Sequence, residues 1–367
     1  MTHRERFGNI FNFRTVDRIP VYFFGTWRET KERWIKEGYT GNVDMNLDKG
    51  PQLDGMDPDW ETGLWDNHGL AITEAIGDFE PCVLQEDEIR RVVRSSLGEV
   101  YIERKDGSSF NHTLVYPMEP TRKSWNRVKC FYDPFDSRRY CEGLAQKASE
   151  LNAKDAVTTF MGGSLYGWLR SLLGVENVSY LMYDDPELYE EIIGHFTNLF
   201  MTVMKPVLDV VKFDFVYFFE DCCGATGPLF SPAFYKKVLD KYYKKLIHFY
   251  KENHVPLALI DSDGVSEPLI PCWLESGFDI IFPIEVGKWQ ASPVKLREKY
   301  GKLRMLGGVD KHLICGPEDK LREHLLALKP CVSYGGYIPI PDHRIPPEVS
   351  LAQMHRYVKI FNEVFNG

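Results

Sequence analysis

The chain has 367 residues, 44% of them hydrophobic, 26% charged and 14% aromatic, with a formal net charge of −9. A chain of this size and composition buries a large apolar core, which excludes a disordered polypeptide. Its charges are scattered, with no Lys/Arg block able to neutralise a phosphate backbone, so nucleic acid is not expected as a partner.

The opening Met1-Thr2-His3-Arg4-Glu5-Arg6 lacks the apolar core of a signal peptide, and no run of about 18 uncharged apolar residues follows. A cytoplasmic protein with no membrane partner is expected. Cysteines at 82, 130, 141, 222, 223, 272, 315 and 331 have no compact zinc-knuckle spacing and read mainly as buried thiols.

Ile19 to Phe24 is the first predicted strand, stopped at Gly25 and followed by a polar-aromatic loop and short helix over Trp27 to Trp34. Residues 40 to 80, rich in Asp, Gly and Pro, predict irregular structure. From Val92 the pattern turns to period two, and Asp106-Gly107 between Val100–Glu103 and Phe110–Leu114 predicts a β-hairpin. The irregular and hairpin stretch, about 40–130, reads as an insertion covering one end of the main domain.

A regular alternation begins near residue 135. Helices are predicted at 137–150, 165–182, 186–210, 232–251, 266–276, 291–300, 317–328 and 347–364. Strands are predicted at 156–160, 213–219, 255–260, 278–283, 304–307 and 333–338. Such alternation implies parallel strands with helical crossovers. The strands are short and uniformly apolar, and no Gly-x-Gly-x-x-Gly turn follows the first. A (β/α)8 TIM barrel spanning 1–367 as one domain is therefore expected, with a doubly wound sheet as the alternative.

In a barrel, chemistry gathers where strands end. Those positions hold Glu220, Asp221, Cys222 and Cys223; Asp261, Ser262, Asp263 and Gly264; Glu285; Asp310 and Lys311; and Asp342 and His343. Carboxylates crowded at one rim either share a proton or hold a divalent cation. Glu220, Asp261, Asp263 and His343 are the candidate catalytic groups. Glu220, Cys222, Asp261, Glu285 and His343 are the candidate metal ligands, with zinc as the expected ion. Asp261-Ser262-Asp263-Gly264 also suits an Asx-turn capping the next helix, and Glu220 also suits a structural salt bridge. Trp27 and Arg28 could form an aromatic wall and an anion clamp, extended by Tyr166 and Trp168, with Asp221 and Tyr337 also facing substrate. Packing under a loop explains the aromatic residues equally well. Ser231-Pro232 predicts a helix start.

Taken in order, Arg6-Phe7, Asp17-Arg18-Ile19-Pro20-Val21, Gly163 to Gly174, Glu220 to Pro232, Asp261 to Gly264, Gly307 to Lys311 and Gly335 to Ile338 resemble the uroporphyrinogen decarboxylase superfamily. That barrel family includes methyltransferases serving corrinoid proteins. The decarboxylases carry Arg-Gln-Ala-Gly-Arg after the first strand, where this chain has Trp27-Arg28-Glu29-Thr30-Lys31. The methyltransferases often carry His-x-Cys-Gly where this chain has Asp261-Ser262-Asp263-Gly264. The resemblance implies a methyltransferase moving a methyl group from a small donor, a methoxylated aromatic or another methylated compound, to a corrinoid protein, with a metal activating the leaving oxygen. Its alternatives are a decarboxylase or lyase of the family's type, or a non-enzymatic small-molecule-binding barrel. A monomer or homodimer is expected.

Overall fold

The computed structural model describes residues 1–43, 45, 51–106 and 111–367. Its first ladder is an antiparallel sheet of β1 (Cys82–Glu86), β2 (Arg90–Arg94), β3 (Val100–Arg104) and β4 (His112–Val115), in that spatial order. The insertion is thus a four-stranded meander where the sequence suggested one hairpin. Strand β2 was hidden because Arg90-Arg91 and Arg94 flank only two valines, and because its entry turn is held by side-chain capping. Asp87 Oδ1 there accepts from the backbone N–H groups of Ile89 and Arg90. Gly107 and Phe110 of the predicted hairpin turn lie outside the described residues.

Six parallel strands form the core: β5 (Thr159–Gly163), β6 (Phe215–Phe219), β9 (Ala258–Asp261), β10 (Ile280–Ile284), β11 (Arg304–Val309) and β12 (Tyr337–Pro341). They pair in the order β12-β11-β10-β9-β6-β5. A two-residue ribbon, β7 (Cys223–Gly224) with β8 (Gly227–Pro228), lies between β6 and β9 in sequence. Runs such as Phe215-Val216-Tyr217-Phe218 are buried throughout because helices cover the outer face of the sheet. The helix Pro186–Leu208 shows how. Asp185 caps it by accepting from Leu188 N–H at 2.9 Å, and Leu188, Ile192, Phe196, Leu199 and Val203 make its buried stripe. Each such side chain contributes roughly 1.5–3 kcal/mol on burial.

The sheet curls. Trp60 meets Phe215, Tyr217 and Phe282 at centroid distances of 5.7, 6.0 and 5.7 Å, so β6 and β10 face a common interior. Among the described residues the parallel ladder has six strands, and the closed eightfold barrel expected from sequence is not seen as such. Ile19 to Phe24, the predicted first strand, is buried but forms no ladder among the described residues; an isolated parallel bridge just beyond it links Thr26 to Ile345. Beside β5, side chains replace ladder bonds: Asn67 accepts from Met161 N–H at 3.0 Å, and His68 Nε2 lies 2.7 Å from Thr159 O. The arrangement is an α/β fold with a parallel-sheet core, like a TIM barrel, carrying an antiparallel insert.

Near β12 the predicted strand starts too early. Cys331 to Tyr334 form the last turn of the helix Glu318–Tyr334, which ends at Gly335 and Gly336 with φ of +88° and +68°. The predicted helix 165–182 is two helices, Tyr166–Leu173 and Val175–Asp184, divided at Gly174 with φ +80°.

One buried carboxylate ties the N-terminal segments together. The Asp57 side chain, fully buried, accepts from Arg18 at 2.7 and 2.6 Å and from Val21 N–H at 2.9 Å. Asp57→Ala leaves Arg18 and the Val21 amide without their acceptor. It is expected to lower the unfolding free energy by about 3 kcal/mol in urea titration. A loss below about 1 kcal/mol would show that the clamp does not hold this edge.

Candidate metal centre

Three loops after strand ends bring Asp263, Glu285 and His343 together, one ligand atom from each lying within 4.8 Å of the others. Asp263 follows β9, Glu285 follows β10 and His343 follows β12. His343 Nε2 is 3.2 Å from Asp263 Oδ2, and Gly264 N–H donates to Glu285 Oε2 at 2.7 Å. Gly264 has φ +88°, a turn that L side chains rarely adopt, and an added Cβ would meet backbone atoms of Cys223 and Gly224 at 2.9–3.0 Å. This turn aims Asp263 outward while Asp261, two residues earlier, points inward.

Two carboxylates and an imidazole are a donor set that fits a divalent cation such as zinc. The electrostatics agree. Burial, then the neighbouring Asp263 charge, raises Glu285 to about 7, with Gly264 N–H, His343 and Lys311 pulling the other way. A cation would relieve that strain between like charges. The groups open onto a cleft of about 620 Å³ that is also lined by Trp27, Asp221, Lys288, Trp289, Lys311 and Asp342. Trp27 stacks against His343 with centroids 6.3 Å apart and planes 29° apart.

The other acidic groups at the strand ends have different partners. Glu220 caps the helix Tyr166–Leu173, accepting from the backbone N–H groups of Leu165, Tyr166 and Gly167 at 2.8, 2.9 and 3.1 Å. Burial raises its pKa, and Tyr243 and those amides oppose the rise. Asp261 accepts a hydrogen bond from the Tyr217 hydroxyl inside the sheet, and burial, then Asp263, pushes it well above the usual carboxylate range. Asp221 pairs with Arg170 at 2.6 Å. Cys222 is buried behind Ser262, its N–H donating to Ser262 Oγ at 3.0 Å, and burial raises the thiol. Of the predicted ligands, Glu285 and His343 therefore meet in the centre. Glu220, Cys222 and Asp261 stand apart from it, and Asp263 joins from the catalytic set.

Of the predicted substrate-facing residues, Trp27 and Asp221 line the cleft. Tyr166 packs against Phe230 at 5.1 Å, Trp168 packs against Phe200 at 4.5 Å, and the buried Tyr337 donates to Gly307 O at 2.9 Å. Tyr166 and Trp168 lie on the helix Tyr166–Leu173 and Tyr337 on β12, and their rings pack into or against the apolar core rather than lining the cleft. Arg28 pairs with Glu32 one helical turn away. Two cleft residues, Lys288 and Trp289, received no role from the sequence. They lie three and four positions past Glu285, so following the loop after β10 further would have found them. Asp342 has a structural part. Its Oδ2 accepts from Val286 and Gly287 N–H, each at 3.0 Å, and its Oδ1 accepts from Lys311 N–H at 3.3 Å.

A curled parallel sheet whose strand-end loops gather two carboxylates and an imidazole around a cleft defines a TIM-barrel-like protein with a candidate metal centre. The family model for Uroporphyrinogen decarboxylase (URO-D) matches residues 119–364, more than half of the chain, and the chain belongs to that family. Among solved structures it is similar to a methyltransferase from Methanosarcina mazei, with 15% identity over 99% of each chain and a TM-score of 0.58. A search of curated proteins finds no match. No helix among the described residues is long and apolar enough to cross a membrane.

The Glu285 shift has a stability consequence. A carboxylic acid raised from 4.5 to about 7 holds a proton in the folded chain that the unfolded chain releases. Stability present below about pH 4.5 is therefore lost as pH rises toward 7. Glu285→Gln should raise the unfolding free energy of the metal-free protein at pH 8 by up to roughly 3 kcal/mol, with little change near pH 5. An equal effect at both pH values would exclude ionisation of Glu285 as its source.

Proposed function

We propose that this chain is a metal-dependent enzyme acting on a small organic molecule in the cleft beside Asp263, Glu285 and His343. The reaction favoured is transfer of a methyl group from an oxygen of a methoxylated aromatic donor to a corrinoid protein. The convergence of those three donor atoms within 4.8 Å carries the reading. A bound divalent ion would supply Lewis acidity to the ether oxygen, and the methyl acceptor would be a corrinoid borne by a separate protein.

The chain's own residues have definite parts in this. Asp263, Glu285 and His343 would hold the ion, and Trp27, stacked on His343, offers a flat apolar wall for an aromatic ring. Asp342 fixes the loops after β10 and β11 through three backbone N–H groups, which keeps Glu285 and Lys311 in register. The fold is similar to that of the Methanosarcina mazei methyltransferase, as this reading requires.

A second reading is a decarboxylase or lyase of the family's named type. The family match favours it, and so does Glu285, whose raised pKa of about 7 suits a proton donor to a carbanion left by departing carbon dioxide. On the family match alone this reading stands ahead. The carboxylate–imidazole donor set turns the choice toward metal-assisted methyl transfer.

Zinc titration of the metal-stripped protein should give one equivalent bound. Asp263→Asn and His343→Ala should each weaken binding at least tenfold, while Glu220→Gln and Cys222→Ser leave the stoichiometry at one. With cob(I)alamin and a methoxylated benzene as probes, the zinc-loaded protein should form methylcobalamin, followed by its absorbance. Carbon dioxide release from an aromatic acid by metal-stripped protein, with no methylcobalamin, would replace methyl transfer by the second reading.

A further inference from the structure

We propose that Lys311, with Lys288 beside it, forms an anion-binding pole of the cleft that selects an aromatic carboxylate over the uncharged aromatic of the same shape. The inference rests on the metal-centre reading above and adds the substrate's charge to it. Lys311 and Lys288 both line the cleft that holds Asp263, Glu285 and His343. Lys311 is half-buried and makes no ion pair or side-chain hydrogen bond among the described residues. Many other lysines are paired, among them Lys236, Lys241, Lys244, Lys251 and Lys299.

An ammonium that lines a cleft without an acceptor from the protein is placed to receive one from a ligand. Its backbone is fixed for the purpose. Lys311 N–H donates to the buried Asp342, and Asp310 caps the short turn that starts at Lys311 by accepting from His312 N–H at 2.9 Å. The neighbouring pole is built with an aromatic face: Lys288 Nζ lies 4.8 Å from the ring centroid of Trp289. Trp27 provides another ring beside His343. Cations, indole rings and a metal-type donor set in a cleft of about 620 Å³ match a flat, monoanionic ligand. Its ring would lie along the indoles, its carboxylate toward Lys311, and its ether end toward Asp263, Glu285 and His343.

A simpler role for Lys311 is as an internal counter-ion to Glu285, which it reaches electrostatically. The two roles differ in what substitution does. Calorimetric titration of the zinc-loaded full chain with 4-methoxybenzoate and with 4-methoxybenzamide reads the difference. The wild type should bind the acid roughly tenfold more tightly than the amide, a factor within reach of one charge-assisted hydrogen bond. Lys311→Met should erase that preference, and Lys311→Arg should keep most of it. Equal binding of both probes by the wild type, no measurable binding of the acid, or a preference surviving in Lys311→Met would each overturn the proposal; the last would put the carboxylate on the metal. A parallel zinc titration separates the two readings. A preference without zinc binding leaves the pole standing and removes the metal centre, whereas zinc binding without a preference does the reverse.

Discussion

A carboxylate taken out of water must find donors, a proton or a cation, and the mouth of this sheet is organised by how each of its acids meets that demand. Glu220 is met by three amides at a helix N-terminus, where the helix dipole also favours negative charge. Asp342 is met by amides from two loops, and Asp261 by a tyrosine hydroxyl and a raised pKa. Asp263 and Glu285 have one amide and one imidazole between them. With fewer protein donors than the neighbouring acids, they are the pair a cation could satisfy, and this separates the candidate centre from the structural acids around it.

The same demand explains why the loops hold their shape. Asp342 follows β12, yet its acceptors organise the loops after β10 and β11, so the positions of Glu285 and Lys311 depend on a carboxylate from a third strand. The 222–224 segment is fixed to the loop after β9 by Cys222 N–H on Ser262 and by Val265 N–H on Gly224 O at 3.0 Å. With no room for a side chain at Gly264, these two loops pack backbone to backbone. Asp263 is therefore presented by a rigid turn rather than by a free loop.

What the sequence made legible follows from the same physics. The alternating segments after residue 135 were readable because strands covered on both faces must be apolar throughout and parallel strands need crossovers. The edge before β5 was not, since Asn67 and His68 secure it with side-chain bonds that leave no periodic trace. The strand-end rule gathered Asp263, Glu285 and His343 among its candidates. It could not tell Asp261 from Asp263, because alternation along a strand says nothing once β9 ends at Asp261 and the chain turns through Gly264. It could not reveal Glu220 as a cap either, because its three amide donors come from a helix more than fifty residues earlier.

The identity of the donors bears on chemistry as well as on location. Thiolates are soft, strongly electron-releasing ligands that suit a site meant to activate a bound thiol. Cys222 does not join the Asp263 group, and burial, reinforced by the neighbouring Cys223, keeps it as a thiol against the opposing pull of Ser262. Two carboxylates and a neutral imidazole would balance a divalent charge while releasing less electron density to the ion. An ion held so retains more of its pull on an oxygen bound in the remaining positions. Such a donor set is suited to weakening a bond between carbon and oxygen, and the indole of Trp27 lies alongside its imidazole.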